Sequence, residues 1–235
     1  MLTKRIDIAE LNIDGAENAT LPEKKVLELR RAYYAAVSWI DSLVGEIIKE
    51  LDDLGLSNNT IILFVSDHGY HLGENGMWLK RKYFELSTRT PMMISIPGVT
   101  DTGIHTEQIV ETVDLFQIIV EAAELEQIPD RPEDSSTIKL YTEGKSLMPL
   151  IWQPDTPLKT AAFSQTKRGT NRMGYTIRME RYRYTEWISL QFKPVIKANW
   201  SDVITRELYD HNFDPAENFN IVSDSRYKDI RTTLV

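Results

Sequence analysis

The sequence predicts an α/β fold, part of a layered α/β/α sandwich followed by a small antiparallel β subdomain. Three observations carry this. A long amphipathic helical pattern runs over residues 20–55. Two short apolar runs follow, Thr60–Val65 and Thr90–Gly98, and a second helical pattern comes after them. Past residue 160, segments rich in aromatic and β-branched residues alternate with turn residues, the habit of antiparallel strands.

Taken in order, residues 1–19 read as an extended or loop segment. "TLPE" then opens a helix, with Thr20 as a candidate cap, Glu23 three residues on and Pro22 in the first turn. Val26, Leu29, Tyr33, Ala36, Ile40, Leu43, Ile47 and Leu51 recur at steps of three and four and form one apolar stripe. Gly55 stops the helix. Thr60–Val65 reads as a strand buried on both faces, as in a parallel sheet. Thr90–Gly98 reads as a second strand, and Thr112–Leu125 as a helix capped by Thr112.

Residues 127–160 are rich in Pro, Asp, Ser and Thr and read as a surface connection. "TAAFSQ", "MGYTIRME" and "YRYTEWISL" read as strands, the last two joined by a tight hairpin at Met179–Arg181. Turn residues surround Asp214-Pro215, and a short tail with helical character follows. The expected division is residues 1–135 and 136–235.

The chain has 235 residues, 42% hydrophobic and 26% charged, with a net charge of −8. The acidic balance argues against a general nucleic-acid binder. There is no cysteine, hence no disulfide, thiolate metal site or thiol nucleophile. No apolar run approaches the roughly 20 residues that span a bilayer. The first residues are too polar for a signal peptide.

The chemistry concentrates in "FVSDHGYHLGENGMWLKRK". Ligands of open α/β sheets sit beyond the carboxyl ends of strands, where Asp67 and His68 would stand. Asp67 offers a hard oxygen to Ca²⁺ or Mg²⁺, and His68 a neutral nitrogen. Gly69 lets the backbone turn and approach a ligand. Lys80 can present a mobile charge to an oxyanion. Each residue also has a plain alternative. Asp-His-Gly after a strand is often only a turn, His71 reads as a structural residue or a loop hydrogen-bonder rather than a ligand, and Lys80, Arg81 and Lys82 read more often as a solvated face than as an anion pocket. His105 and His211 carry no special signal.

The pattern Ser-Asp-His-Gly, then Leu-Gly-Glu-x-Gly-x-Trp-x-Lys, then a strand ending in Pro-Gly, resembles the type I sulfatases of the alkaline-phosphatase-like superfamily. The likeness extends over nearly the whole chain, through "LRRAYYAAVSWIDSLVGEIIKELDDLGLSNNTIILFVSDHG", "VDLFQIIVEAAELEQIP", "MGYTIRMERYRYTEW" and "RELYDHNFDPAENFN". The phrases "MGYTIR…YRYTEW" and "ANWSD" favour the branch that removes 2-O-sulfate from uronic acids of glycosaminoglycans.

This resemblance implies that Asp67 and His68 are ligands of a divalent cation, Ca²⁺ in this family. It implies that His68 and Lys80 act in catalysis and that Lys80 binds a sulfate oxygen. Tyr70 would line the sugar pocket, where relatives carry Trp, and Arg178 would support the subdomain. The family's nucleophile is a formylglycine made within Cys/Ser-x-Pro-x-Arg. This chain has neither that motif nor the paired N-terminal aspartates of the metal shell. It therefore reads as the C-terminal portion of a sulfatase, inactive alone and completed by an N-terminal portion.

Two other readings of the same residues are a phosphate or phosphonate ester hydrolase of the superfamily and an inactive, partner-binding fragment. Three Asn-x-Ser/Thr sequons, at Asn18, Asn58 and Asn199, fit a lysosomal or secreted glycoprotein.

Overall fold

A computed structural model describes residues 20–80, 83–191 and 197–234. The expectations for residues 1–19, including Asn18, and for Arg81 and Lys82 lie outside the described residues. The chain folds as two compact units. Of the described residues, one unit holds those through Asn59 together with those of Val65–Pro91, and the other holds Thr60–Phe64 and those from Met92 onward.

The first unit is built on α1 (Glu23–Asp53), 31 residues long. Pro22 is its cap, and no side chain caps it. Thr20 therefore does not play the expected role. With φ fixed at −57°, Pro22 starts the helix, its carbonyl accepting from Lys25 N–H at 2.8 Å and Val26 N–H at 3.1 Å, and this leaves Thr20 two residues outside the cap. Gly55 ends the helix as expected, with φ 69° and its N–H on the Asp52 carbonyl at 2.9 Å.

Leu21 and Trp78 are buried, and Val26, Leu29, Leu72 and Leu79 pack on them. Past that cluster the apolar stripe is uncovered. No α1 residue is buried, and Ile40 and Ile47 are 52% and 68% exposed. β2 (His71–Leu72) and β3 (Trp78–Leu79) pair antiparallel, and the short helix α2 (Glu85–Thr88) follows.

In the second unit β1 (Ile62–Val65) pairs with β4 (Met92–Ser95). Burial on both faces is not observed: Phe64 and Met93 are exposed. Among the described residues this sheet has only two strands, too few to cover both faces. A 3-10 turn, Thr112–Asp114, leads into α3 (Leu115–Ala122). The 3-10 turn is capped by a reciprocal box between Glu111 and Asp114, and α3 itself begins after Asp114 with no side-chain cap, so Thr112 does not serve as the cap.

Asp114 is fully buried, with Lys159 Nζ 2.5 Å from one of its oxygens and 2.7 Å from Glu111. Burial alone would lower the Lys159 pKa, but its bonds to these two carboxylates outweigh it and hold the ammonium above its ordinary range. Glu111 also accepts the Phe163 N–H at 2.7 Å, tying the start of α3 to the C-terminal sheet. Ile118, Leu147 and Leu150 form a local core. Leu147 and Leu150 come from the stretch read as a connection, which carries α4 (Met148–Trp152).

The antiparallel subdomain is a four-stranded sheet in the order β5 (Ala161–Arg168), β6 (Arg172–Met179), β7 (Tyr182–Gln191), β8 (Lys197–Asp210). Tyr184, Ile188 and Leu208 fill its core. β8 has 14 residues and escapes sequence reasoning. Charges interrupt its apolar pattern, and register shifts at Trp187/Ile188 and Ile188/Ser189 break the alternation that marks a strand. The tail forms α5 (Lys228–Leu234), as expected.

Candidate active site

β1 ends at Val65, and the next four residues turn tightly against α2. Ser66 N–H donates to the Pro91 carbonyl at 3.2 Å, and Gly69 N–H to the Ser87 carbonyl at 3.0 Å. Ser66 Oγ donates to the His68 carbonyl at 2.8 Å, closing the turn. A Cβ on Gly69 would lie 1.8 Å from the Leu86 carbonyl oxygen. The close approach that demands glycine here is therefore to neighbouring backbone.

This turn presents Asp67 and His68. The Asp67 carboxylate is 81% exposed. One of its oxygens accepts the His68 N–H at 3.0 Å, and the other lies 3.1 Å from His68 Nε2. His68 Nδ1 lies 2.9 Å from the Gly69 carbonyl. A carbonyl only accepts, so Nδ1 carries a proton. Nε2, the other ring nitrogen, faces the Asp67 carboxylate. Ligating histidines commonly donate one ring N–H to a backbone carbonyl, leaving the other nitrogen for the metal.

Tyr70 follows, its ring stacked on Tyr33 of α1 at 5.0 Å and 28°. Arg30, one turn earlier, donates Nε–H to the Leu72 carbonyl at 3.0 Å. Sequence reasoning missed both supports: Tyr33 read only as one member of a helical stripe. Lys80 is exposed and forms no ion pair among the described residues. It follows Leu79, whose φ of 67° is rare for a bulky residue and turns the chain sharply just before the lysine. No hydrogen bond or ion pair joins Lys80 to Asp67 or His68. His71 is fully buried, its ring edge-on to Phe84 at 6.0 Å, in keeping with a structural role.

In the second unit, Arg178 Nη2 lies 2.8 Å from His211 Nδ1, and His211 Nε2 lies 2.8 Å from Glu217. Glu217 also accepts from Arg183 Nε at 2.5 Å, both side chains being buried. His211 thus joins a buried ionic chain. His105 is exposed. Asn58 is exposed in the 3-10 turn Ser57–Asn59, whereas Asn199 is half-buried in β8.

A carboxylate oxygen and an imidazole nitrogen at a strand end are two ligands of a hard divalent cation, which takes about six to eight. The fold and this corner define a hydrolase-type α/β architecture, the alkaline-phosphatase-like fold. It aligns with a structure solved with its substrate D-glucosamine-2-N,6-O-disulfate, at TM-score 0.72 and 25% identity over 97% of this chain and 43% of the other. It also aligns with the phosphonate monoester hydrolase of Agrobacterium radiobacter, at TM-score 0.73 and 21% identity over 94% of this chain and 42% of the other, a likeness of fold.

The sulfatase family profile matches residues 8–125, and the C-terminal profile of N-sulphoglucosamine sulphohydrolase matches residues 73–235. The chain belongs to the sulfatase family. Mouse (Mus musculus) iduronate 2-sulfatase is 34% identical over 96% of this chain, and the human (Homo sapiens) enzyme 31% identical over 100% of this chain. The chain spans 49% and 51% of those relatives, about half their length.

Proposed function

We propose that this chain supplies the metal- and sulfate-binding residues of a sulfuric ester hydrolase that removes 2-O-sulfate from uronic acids of glycosaminoglycans. The observation that carries this is the Asp67–His68 corner, its imidazole oriented by the Gly69 carbonyl, in a chain similar along its length to iduronate 2-sulfatases. Residues 1–135 would be the later part of the catalytic domain and residues 136–235 its C-terminal subdomain.

Asp67 and His68 would hold a divalent cation, Ca²⁺ by family precedent. When bound, such a cation withdraws charge from a sulfate oxygen. Lys80, exposed and with no ion pair among the described residues, would meet a second sulfate oxygen and offset the charge that develops on it. Tyr70, held by Tyr33, would form one wall of the sugar pocket. The chain has no cysteine and no Ser-x-Pro-x-Arg, so the formylglycine nucleophile would come from polypeptide outside this sequence. We place the protein in a lysosomal or secreted setting, supported by the exposed Asn58 sequon. No described helix is long and apolar enough to cross a membrane.

The test is hydrolysis of a uronic acid 2-sulfate by the chain alone and combined with a polypeptide bearing Cys-x-Pro-x-Arg. No turnover alone and turnover in combination, lost in Asp67→Asn, is expected. Turnover of an aryl sulfate by the 235-residue chain alone would overturn the assignment of the nucleophile. Preference for a phosphonate monoester would favour the other branch of the superfamily.

A further inference from the structure

The β5–β6 hairpin is basic in an acidic protein. Between Ala161 and Met179 stand Lys167, Arg168, Arg172 and Arg178, with no acidic residue. Arg178 is engaged with His211. The other three crowd the hairpin tip and form no ion pair among the described residues. Arg168 and Arg172 are direct cross-strand partners. Like charges placed opposite each other destabilise a sheet. An unneutralised pair of arginines is thus a local cost that an anion would relieve.

The tip is also positioned. The Arg168 guanidinium sits 5.7 Å from the Trp187 ring. That indole is buried, fixed by its N–H to Glu207 at 2.8 Å and by close contact with Gly174. On the opposite face, Lys167 pairs with Met173, and Tyr175 is the next residue of β6 on that face. Tyr175 packs against Trp200 at 4.8 Å, and Trp200 is 58% exposed. Lys167, on the face of that exposed aromatic pair, suits a sugar whose C–H face stacks and whose substituents are anionic, while Arg168 and Arg172 add charge on the other face of the hairpin tip.

We propose that the β5–β6 tip, through Lys167, Arg168, Arg172 and the Tyr175–Trp200 pair, binds a sulfated polysaccharide at residues distinct from Asp67 and His68. The class of ligand rests on the sulfatase reading; the site rests on the hairpin.

A fluorescent heparin octasaccharide, titrated into the 235-residue chain by anisotropy at 50 and 200 mM NaCl, tests this. Lys167→Gln/Arg168→Gln/Arg172→Gln should lose about tenfold or more in affinity and show a flatter salt dependence, since counterion release scales with the contacts made. Trp200→Ala should lose several-fold with its salt dependence unchanged. Removing the opposed arginines should leave the melting temperature unchanged or raise it. Unchanged affinity in the triple variant would overturn the proposal. So would lost affinity with a lowered melting temperature, which marks a structural role, or equal binding of single-stranded DNA of the same charge, which marks a generic polyanion surface. No turnover is read, so a failed sulfatase assignment and a failed binding site give separate results.

Discussion

His68 turns one ring nitrogen to the Gly69 carbonyl at 2.9 Å and the other to the Asp67 carboxylate at 3.1 Å. Three consecutive residues therefore organise the corner, and the turn that makes this possible is locked by backbone.

The lock is Gly69. Its missing side chain admits the Leu86 carbonyl, which a Cβ would meet at 1.8 Å. Gly69→Ala should destabilise the protein by about 3 kcal/mol, at the upper end for overpacking because backbone must move on both sides. Urea unfolding monitored by tryptophan fluorescence would show it, and a midpoint equal to wild type would refute the packing account.

The Arg183–Glu217 pair is enclosed within the C-terminal subdomain. Both side chains are almost fully buried, and Glu217 also holds His211. Glu217→Ala leaves Arg183 charged and enclosed, and should cost about 3–5 kcal/mol. Asp53→Ala, which removes an exposed partner of Lys49, should shift thermal melting little. Equal shifts for the two variants would contradict this ranking.

Asp210 adds a pH dependence. Arg181 donates to it through Nε at 2.9 Å and Nη2 at 2.7 Å, and these bonds hold its pKa below the ordinary 3.8. A carboxylate whose pKa is depressed on folding contributes stability above its unfolded pKa and loses it as pH falls through the folded value. Asp210→Asn should therefore reduce stability at neutral pH and flatten the acid limb of the stability profile below about pH 4. An acid limb as steep as in wild type would assign that slope to other carboxylates.

The uncovered stripe of α1 predicts association. Trp39, Ile40 and Ile47 are more than half exposed, a patch that soluble monomers seldom display. Light scattering should find the isolated chain self-associated, and Ile40→Lys/Ile47→Lys should raise the monomer fraction. A monodisperse wild-type monomer would contradict this.

The legible parts of this protein were those with local signatures. β1, β4 and β5 to β7 announce themselves as β-branched or alternating runs, and the α1 end as a glycine. The caps misled because Pro22 and Glu111 outcompeted nearby threonines, a contest decided by backbone geometry. β8 was hidden by its charges, several of which pair with β7: Arg206 with Glu186 and Glu207 with Trp187. At the candidate site, Asp67, His68 and Lys80 were proposed from a motif, and the structure sets Asp67 against His68 without joining Lys80 to them. The Tyr33–Tyr70 stack and the Arg178–His211–Glu217–Arg183 chain were not, because their partners lie far apart in sequence.

The central claim is that Asp67 and His68 form a cation-binding corner. Calorimetric titration of Ca²⁺ into the 235-residue chain tests it most directly. A saturable site is predicted, weakened about tenfold or more, roughly 1.4 kcal/mol, in Asp67→Asn and in His68→Ala. Binding that both substitutions leave unchanged, or no binding by the wild-type chain, would contradict it.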